Sequence, residues 1–374
     1  MQRVWKIAGM VLLWCAVVGF VVLFHKRSQQ HDATMLVQSL DVAILDSLPD
    51  ETLVSQQLVA KWISQSKIPT IGEPINKVDL VGIENVIRSN GFVDRANAHI
   101  THDGVLHVIV SQRKPLLRLR VDGYDCYLTS EGFAFPAPRR SSVYVPVVSG
   151  PYRPPLERDY VGFVKDHITQ LIDESNERIA SLQQEKKPLF DREKEIRDSV
   201  REVRRMRVSK QGIIRYRGWF ESEESFEKRI RAKKIEKAAL YKRYNFWRRE
   251  NTKKLNAVTA RQNLERDRQK KLLKRYEDLS KLINFVKYIE EDSFWSAEIV
   301  QIVASSMSNG DLQLELIPRT GTHRVLFGRV GDEELVEDKL DRLLSFYQNG
   351  LKNLGWNEFR TISVEYANQV VCSK

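Results

Sequence analysis

His99, His102 and His107 come nearest to a cluster whose residue types and spacing could do chemistry. A zinc centre needs three or four convergent donors in clean tetrahedral geometry. No cysteine joins these histidines, and Asp103 is better used by the Asp103-Gly104 turn, so they read as solvent-facing strand residues with no metal. Serines, acids and His323 are plentiful, yet no nucleophile elbow, Walker loop or His-Glu-x-x-His pattern occurs. The paired carboxylates Glu290-Glu291 and Glu333-Glu334 fall at helix ends, where they suit solvent or an N-terminal dipole. No catalytic residue and no cofactor is assigned, and the chain reads as something other than an enzyme. Cys15, Cys126 and Cys372 are too few and too scattered for a disulfide framework. The last two either pair in an oxidising compartment or stand as buried thiols on strands.

Two basic, aromatic-rich stretches have the composition that meets nucleic acid or anionic surfaces: Arg215 to Phe220, and YKRYNFWRR from Tyr241 to Arg249. They belong to a larger basic segment. Val161 to Ser280 holds 33 Lys and Arg against 20 Asp and Glu, in a chain of net charge +11, so the remainder is slightly acidic. Outside the cytoplasm nucleic acid is absent as a partner. An anionic membrane surface, an envelope polymer or an acidic partner then remains, beside the plain reading of a solvated helical face.

The elements that position these residues begin with an apolar run, Ile7 to Phe24, reading IAGMVLLWCAVVGFVVLF without a charge. At about 1.5 Å per helical residue it spans roughly 27 Å, close to the hydrocarbon thickness of a bilayer. It is too long for the h-region of a cleaved leader, and His25-Lys26-Arg27 is a poor cleavage site. Residues 1–6 form a short cytoplasmic tip, 7–24 the single transmembrane helix and 25–34 a tether. Flanking Lys and Arg balance, so the extracytoplasmic placement of the body rests on the later argument.

A strand fits Leu36 to Leu45, and a helix fits Thr52 to Ser64 with Val54, Leu58 and Trp62 at helical spacing. A second helix fits Leu80 to Ser89, stopped by Asn90-Gly91. Phe92 to Ile100 and Val105 to Gln112 flank Asp103-Gly104 as a hairpin. Strand, helix, helix, strand, strand is the plan of a POTRA domain, placed at 35–120. Val93, Ala96, Gly104, Leu106, Val108, Val110, Arg113 and Pro115, then Tyr127-Leu128 and Gly132, resemble the corresponding phrase of the FtsQ/DivIB family of bitopic bacterial division proteins. The departure is Thr129, where that family often carries Asp.

The C-terminal part, 121–160 and 281–374, is similar to the family's β domain. Expected strands are Ser296 to Ala304, Leu312 to Ile317 (paired across Asn309-Gly310) and His323 to Phe327. A helix from Glu333 to about Gln348 follows, capped by Asn349-Gly350, and then a terminal strand from Thr361 to Cys372. EEDSFWSAEI, ELIPRTGTHRVLFG and ISVEYANQVVC carry the resemblance to the Bacteroidetes branch. Between these parts, 161–280 is an inserted helical hairpin. Positions at steps of three and four, including Ile168, Ile172, Ser175, Ile179, Leu182, Lys186, Leu189, Ile196, Val200 and Val203, form a coiled-coil seam. Pro188 should kink or interrupt it. The second arm shows Leu272, Tyr276, Leu279, Ile283 and Val286 at the same rhythm, with a thin middle. Arms of about 45 residues would reach roughly 65 Å.

The fold class is therefore α+β: one transmembrane helix, a POTRA domain, a β domain and an antiparallel helical insertion. The resemblance implies a divisome scaffold that holds FtsB/DivIC-like and FtsL-like proteins and licenses septal peptidoglycan synthesis. FtsK and the septal transpeptidase/glycosyltransferase pair are further implied partners, with no nucleic acid. A single-pass type II protein of the inner membrane follows, its body in the periplasm at the septum. A terminal strand offers open backbone groups for β-augmentation, so Thr361, Ile362, Val364, Tyr366, Asn368 and Val370 are the expected partner-binding residues. Two alternatives are an envelope transport or assembly scaffold whose hairpin spans the periplasm, and a membrane-anchored hydrolase without a motif.

Overall fold

The computed structural model describes residues 14, 16–22, 35–45, 53–138, 142–206, 208, 220–306 and 311–374. Most of the expected membrane helix, 7–24, lies outside them, as does the Asn309-Gly310 turn. Among the described residues no helix is long and apolar enough to cross a membrane. The chain divides into two compact units: Met1–Val164 with Asp278–Lys374, and Lys165–Glu277.

The first unit opens with strand β1 (Ser39–Leu45), helices α1 (Gln56–Gln65) and α2 (Leu80–Arg88), then β2 (Val93–Ile100) and β3 (Val105–Gln112). The sheet order is β1-β3-β2, with β1 parallel and β2 antiparallel to β3. Each helix begins where a short polar side chain takes an orphan amide. Ser55 Oγ accepts from the Leu58 amide at 3.2 Å, and Asp79 Oδ1 from that of Gly82 at 2.8 Å. Strand alternation sends Leu106, Val108 and Val110 against Val59, Ile63, Ile83 and Ile87 in one core. His107, on the opposite face, bonds Asp41 across the parallel pair at 3.0 Å and stacks on His99.

A ten-stranded sheet fills the rest of this unit. It is built from β4 (Leu117–Val121), β5 (Tyr124–Leu128), β6 (Phe133–Pro136), β7 (Val147–Ser149), β8 (Gly162–Phe163), β9 (Ile299–Ser306), β10 (Leu312–Pro318), β11 (Arg324–Arg329), β12 (Thr361–Ser363) and β13 (Val371–Ser373). Its order is β13-β12-β11-β10-β9-β7-β4-β5-β6-β8. Because β4 pairs with β5 and β7 here, the smaller sheet ends at Gln112, where the hairpin spacing places its last strand.

Arg113 locks the junction. Its Nε donates to the Gly91 carbonyl at 3.2 Å and its Nη2 to that of Val93 at 2.8 Å. Nη1 pairs with Asp94 at 3.3 Å, and Cζ stacks 3.5 Å from the Phe133 ring centre. At Thr129 the hydroxyl accepts from the Phe133 amide at 3.1 Å, the turn-closing role an Asp carboxylate fills (Gly132 sits there at φ +77).

The second unit is an antiparallel pair formed by α3 (Val164–Arg205) and α4 (Glu223–Glu291), whose last turns belong to the first unit. The α3 seam falls where its spacing places it, and even Ser175 and Lys186 are buried. The thin middle of the second arm is a polar seam. Gln262 faces Lys186 and Gln183, Glu265 faces Ser175 and Arg178, and Gln269 donates to Asn176 at 2.8 Å. Pro188 does not interrupt α3, which runs through it from Val164 to Arg205.

Four C-terminal expectations change. Ser293–Glu298 is a short helix, α5, because Asp292 takes the amides of Phe294 and Trp295 at 2.8 and 3.0 Å. The third strand begins at Arg324 and reaches Arg329. Helix α6 (Glu333–Phe346) is not capped at Asn349-Gly350 but continues through a wide turn, Tyr347–Leu351, until Gly355 ends it at φ +103. The single terminal strand is instead two strands, β12 and β13, folded on each other.

Candidate functional site: the terminal hairpin and its supports

Strand β12 lies between β11, to which it is parallel, and β13, to which it is antiparallel. Both of its flanks are thus occupied by its own chain. Ile362 and Val364 are fully buried. Backbone augmentation at Thr361, Ile362 or Val364 has no free edge to use, which corrects that expectation. The outermost strand is β13, and the connection 364–370 carries Tyr366, Asn368 and Val370. Tyr366 is 53% exposed and Val371 44%, so this corner presents an aromatic and an aliphatic side chain beside an unpaired strand edge. Asn368 sits at φ +58, a left-handed turn position that asparagine tolerates.

Helix α6 holds this corner in place. Its apolar stripe, Val336, Leu340 and Leu343, is buried, and Lys339 goes in with it. Lys339 Nζ donates to the carbonyls of Phe327 at 2.8 Å and Arg329 at 2.9 Å, beyond the point where β12 stops covering β11. The ammonium lies 4.8 Å from the Phe327 ring centre, and burial lowers its pKa, with Arg342 nearby adding to the effect. One turn on, Arg342 donates to the Tyr366 carbonyl, approaches that of Gln369 at 3.4 Å and pairs with Asp338 at 2.9 Å. Glu365 packs over Gly328, where an added Cβ would meet its Cγ at 2.5 Å. Lys339 and Arg342 escaped the motif reading of the sequence, although a lysine inside the apolar spacing of α6 was a visible signal.

The three stretches that carry the family resemblance converge near the start of β11. His323 Nε2 and Tyr347 Oη are 2.9 Å apart and buried. Trp295 and Trp356 pack on the Tyr347 ring. Glu298 accepts from the Thr320 amide at 3.2 Å and from its hydroxyl at 2.8 Å. Burial, then the Glu298 charge, raises the Tyr347 phenol, and burial lowers the His323 pKa. The cluster is a hydrogen-bonded polar plug in an aromatic box. Cys126 is a free buried thiol on β5, pushed up to about 12 by burial, and Cys372 is free on β13.

Residues 36–111 match the model of a POTRA-like domain, and residues 255–373 match FtsQ/DivIB, C-terminal related. No curated protein matches the chain. Fold and matches together define a division-related scaffold bearing a POTRA domain. Within that class the two matches support an FtsQ/DivIB-type protein. The C-terminal match starts inside α4, so it takes in part of the helix that the sequence reading assigned to an insertion.

Proposed function

We propose that this protein is a bitopic divisome scaffold whose β domain captures an extended segment of an FtsB/DivIC-like subunit, and through it an FtsL-like one. Residues 7–24 anchor it in the inner membrane with the body in the periplasm at the septum. The POTRA domain meets upstream or membrane-localised division proteins such as FtsK. The assembled complex licenses the septal transpeptidase/glycosyltransferase pair.

The observation behind the reading is the edge position of β13 beside exposed Tyr366, in a sheet whose neighbouring strand is already paired on both sides. At this hairpin an incoming strand finds backbone partners along β13 and not along β12, and Tyr366, Asn368 and Val370 frame its approach. Photo-cross-linking probes at Tyr366 and Val371 in living cells, with buried Ile362 as the control, test it. Capture of an FtsB-like protein from the first two positions and not from the third is expected. Tyr366→Glu should release that partner while leaving the fold intact, and co-purification that survives the change refutes the placement.

A further inference from the structure

The two arms of the α3/α4 hairpin carry opposite charge on their outward faces. On α3, steps of three and four from Gln170 meet Glu174, Glu177, Asp191, Glu195, Asp198 and Glu202, with no Lys or Arg on that stripe. All six are exposed, and among the described residues only Glu174 and Asp198 form an ion pair. On α4 the same spacing from Lys228 to Asn263 meets Lys228, Lys242, Arg249 and Lys253 and no carboxylate. Between those cations lie exposed Ile235 and Phe246, with small Ala239 beside them.

These stripes overlap in height. The Arg204–Tyr241 and Asn251–Leu189 hydrogen bonds place Glu202 near the level of Lys242, and Asp191 near that of Arg249. The hairpin is thus a ribbon with one acidic and one basic edge. We infer that copies of this chain associate side by side, the α3 edge of one hairpin against the α4 edge of the next. Identical edges repel, so a twofold pairing is disfavoured and the contact is head-to-tail, which extends as an open row unless it closes into a ring. Ala239 lets a neighbouring backbone approach while Phe246 and Ile235 lose water against it. This assembly is independent of the docking corner at β13.

Charge-swapped variants of the full chain in detergent decide the matter, with sedimentation as the readout. One variant carries Asp191→Lys, Glu195→Lys and Glu202→Lys; the other carries Lys242→Glu, Arg249→Glu and Lys253→Glu. The parent should associate at roughly 50 mM salt and dissociate at about 1 M, where the screening length falls to about 3 Å. Each variant alone should be monomeric at low salt, because both of its edges bear one sign. An equimolar mixture should regain association, which a misfolded variant could not do. A parent that is monomeric at low salt, variants that associate as the parent does, or a mixture that stays monomeric would each overturn the proposal.

Discussion

Lys339 sits with its ammonium 2.8 Å from the Phe327 carbonyl, closing the part of β11 that β12 is too short to cover. A second carbonyl, that of Arg329, shares the same ammonium at 2.9 Å. Removing it leaves two strand carbonyls without a donor, and such orphaned groups cost about 1–3 kcal/mol each. Lys339→Met should lower unfolding stability by roughly 2–4 kcal/mol in urea titrations, since the methylenes still pack. Partner capture by β13 should weaken with it, because α6 also steadies the adjoining turn through Arg342.

Arg113 joins the two sheets through two carbonyls, one carboxylate and a ring. A lysine cannot reproduce a forked, stacked guanidinium. Arg113→Lys and Arg113→Ala should therefore behave alike, each losing about 2–3 kcal/mol. Hydrogen exchange should speed up around Gly91 and Val93 in both variants.

His323 is buried with a lowered pKa, so the unfolded chain takes up its proton first as pH falls. The stabilisation is complete above the unfolded value, about 6.5, and declines below it at up to about 1.4 kcal/mol per pH unit. His323→Asn should flatten the difference between denaturation midpoints at pH 7.5 and pH 5.5. An unchanged pH slope would show that other groups carry the dependence.

The polar hairpin seam pairs buried Lys186 with Gln262. Replacing both by Leu should raise the unfolding stability of the hairpin by about 1–2 kcal/mol, read from far-UV melting curves, since apolar isosteres often outperform buried polar pairs. Lys186→Leu alone should gain less, because Gln262 then keeps one fewer partner.

Local chemistry decided how much was visible in the sequence. The smaller sheet and its helices were legible because alternation, helical spacing and an Asp-Gly turn agree there, although the first helix starts at Gln56, after the Ser55 cap, and not at Thr52. The α3 seam was legible down to Ser175 and Lys186, since spacing identifies a face whatever occupies it. The α4 middle was obscure because its seam residues, Gln262, Glu265 and Gln269, satisfy one another across the pair. The terminal strand was misread because alternating residues from Thr361 onward suit a long ribbon, while the left-handed turn at Asn368 folds it back. The β12–β13 ladder and the tertiary contacts from Arg342 hold that fold-back, and no local pattern announces them.

The hydroxyl at Thr129 has one more implication. Where a carboxylate closes the equivalent turn, acid strips the acceptor of its charge and the loop weakens. Here the bond to the Phe133 amide comes from a group that does not ionise. This bend of the β domain should keep its shape at pH values that would slacken an aspartate version.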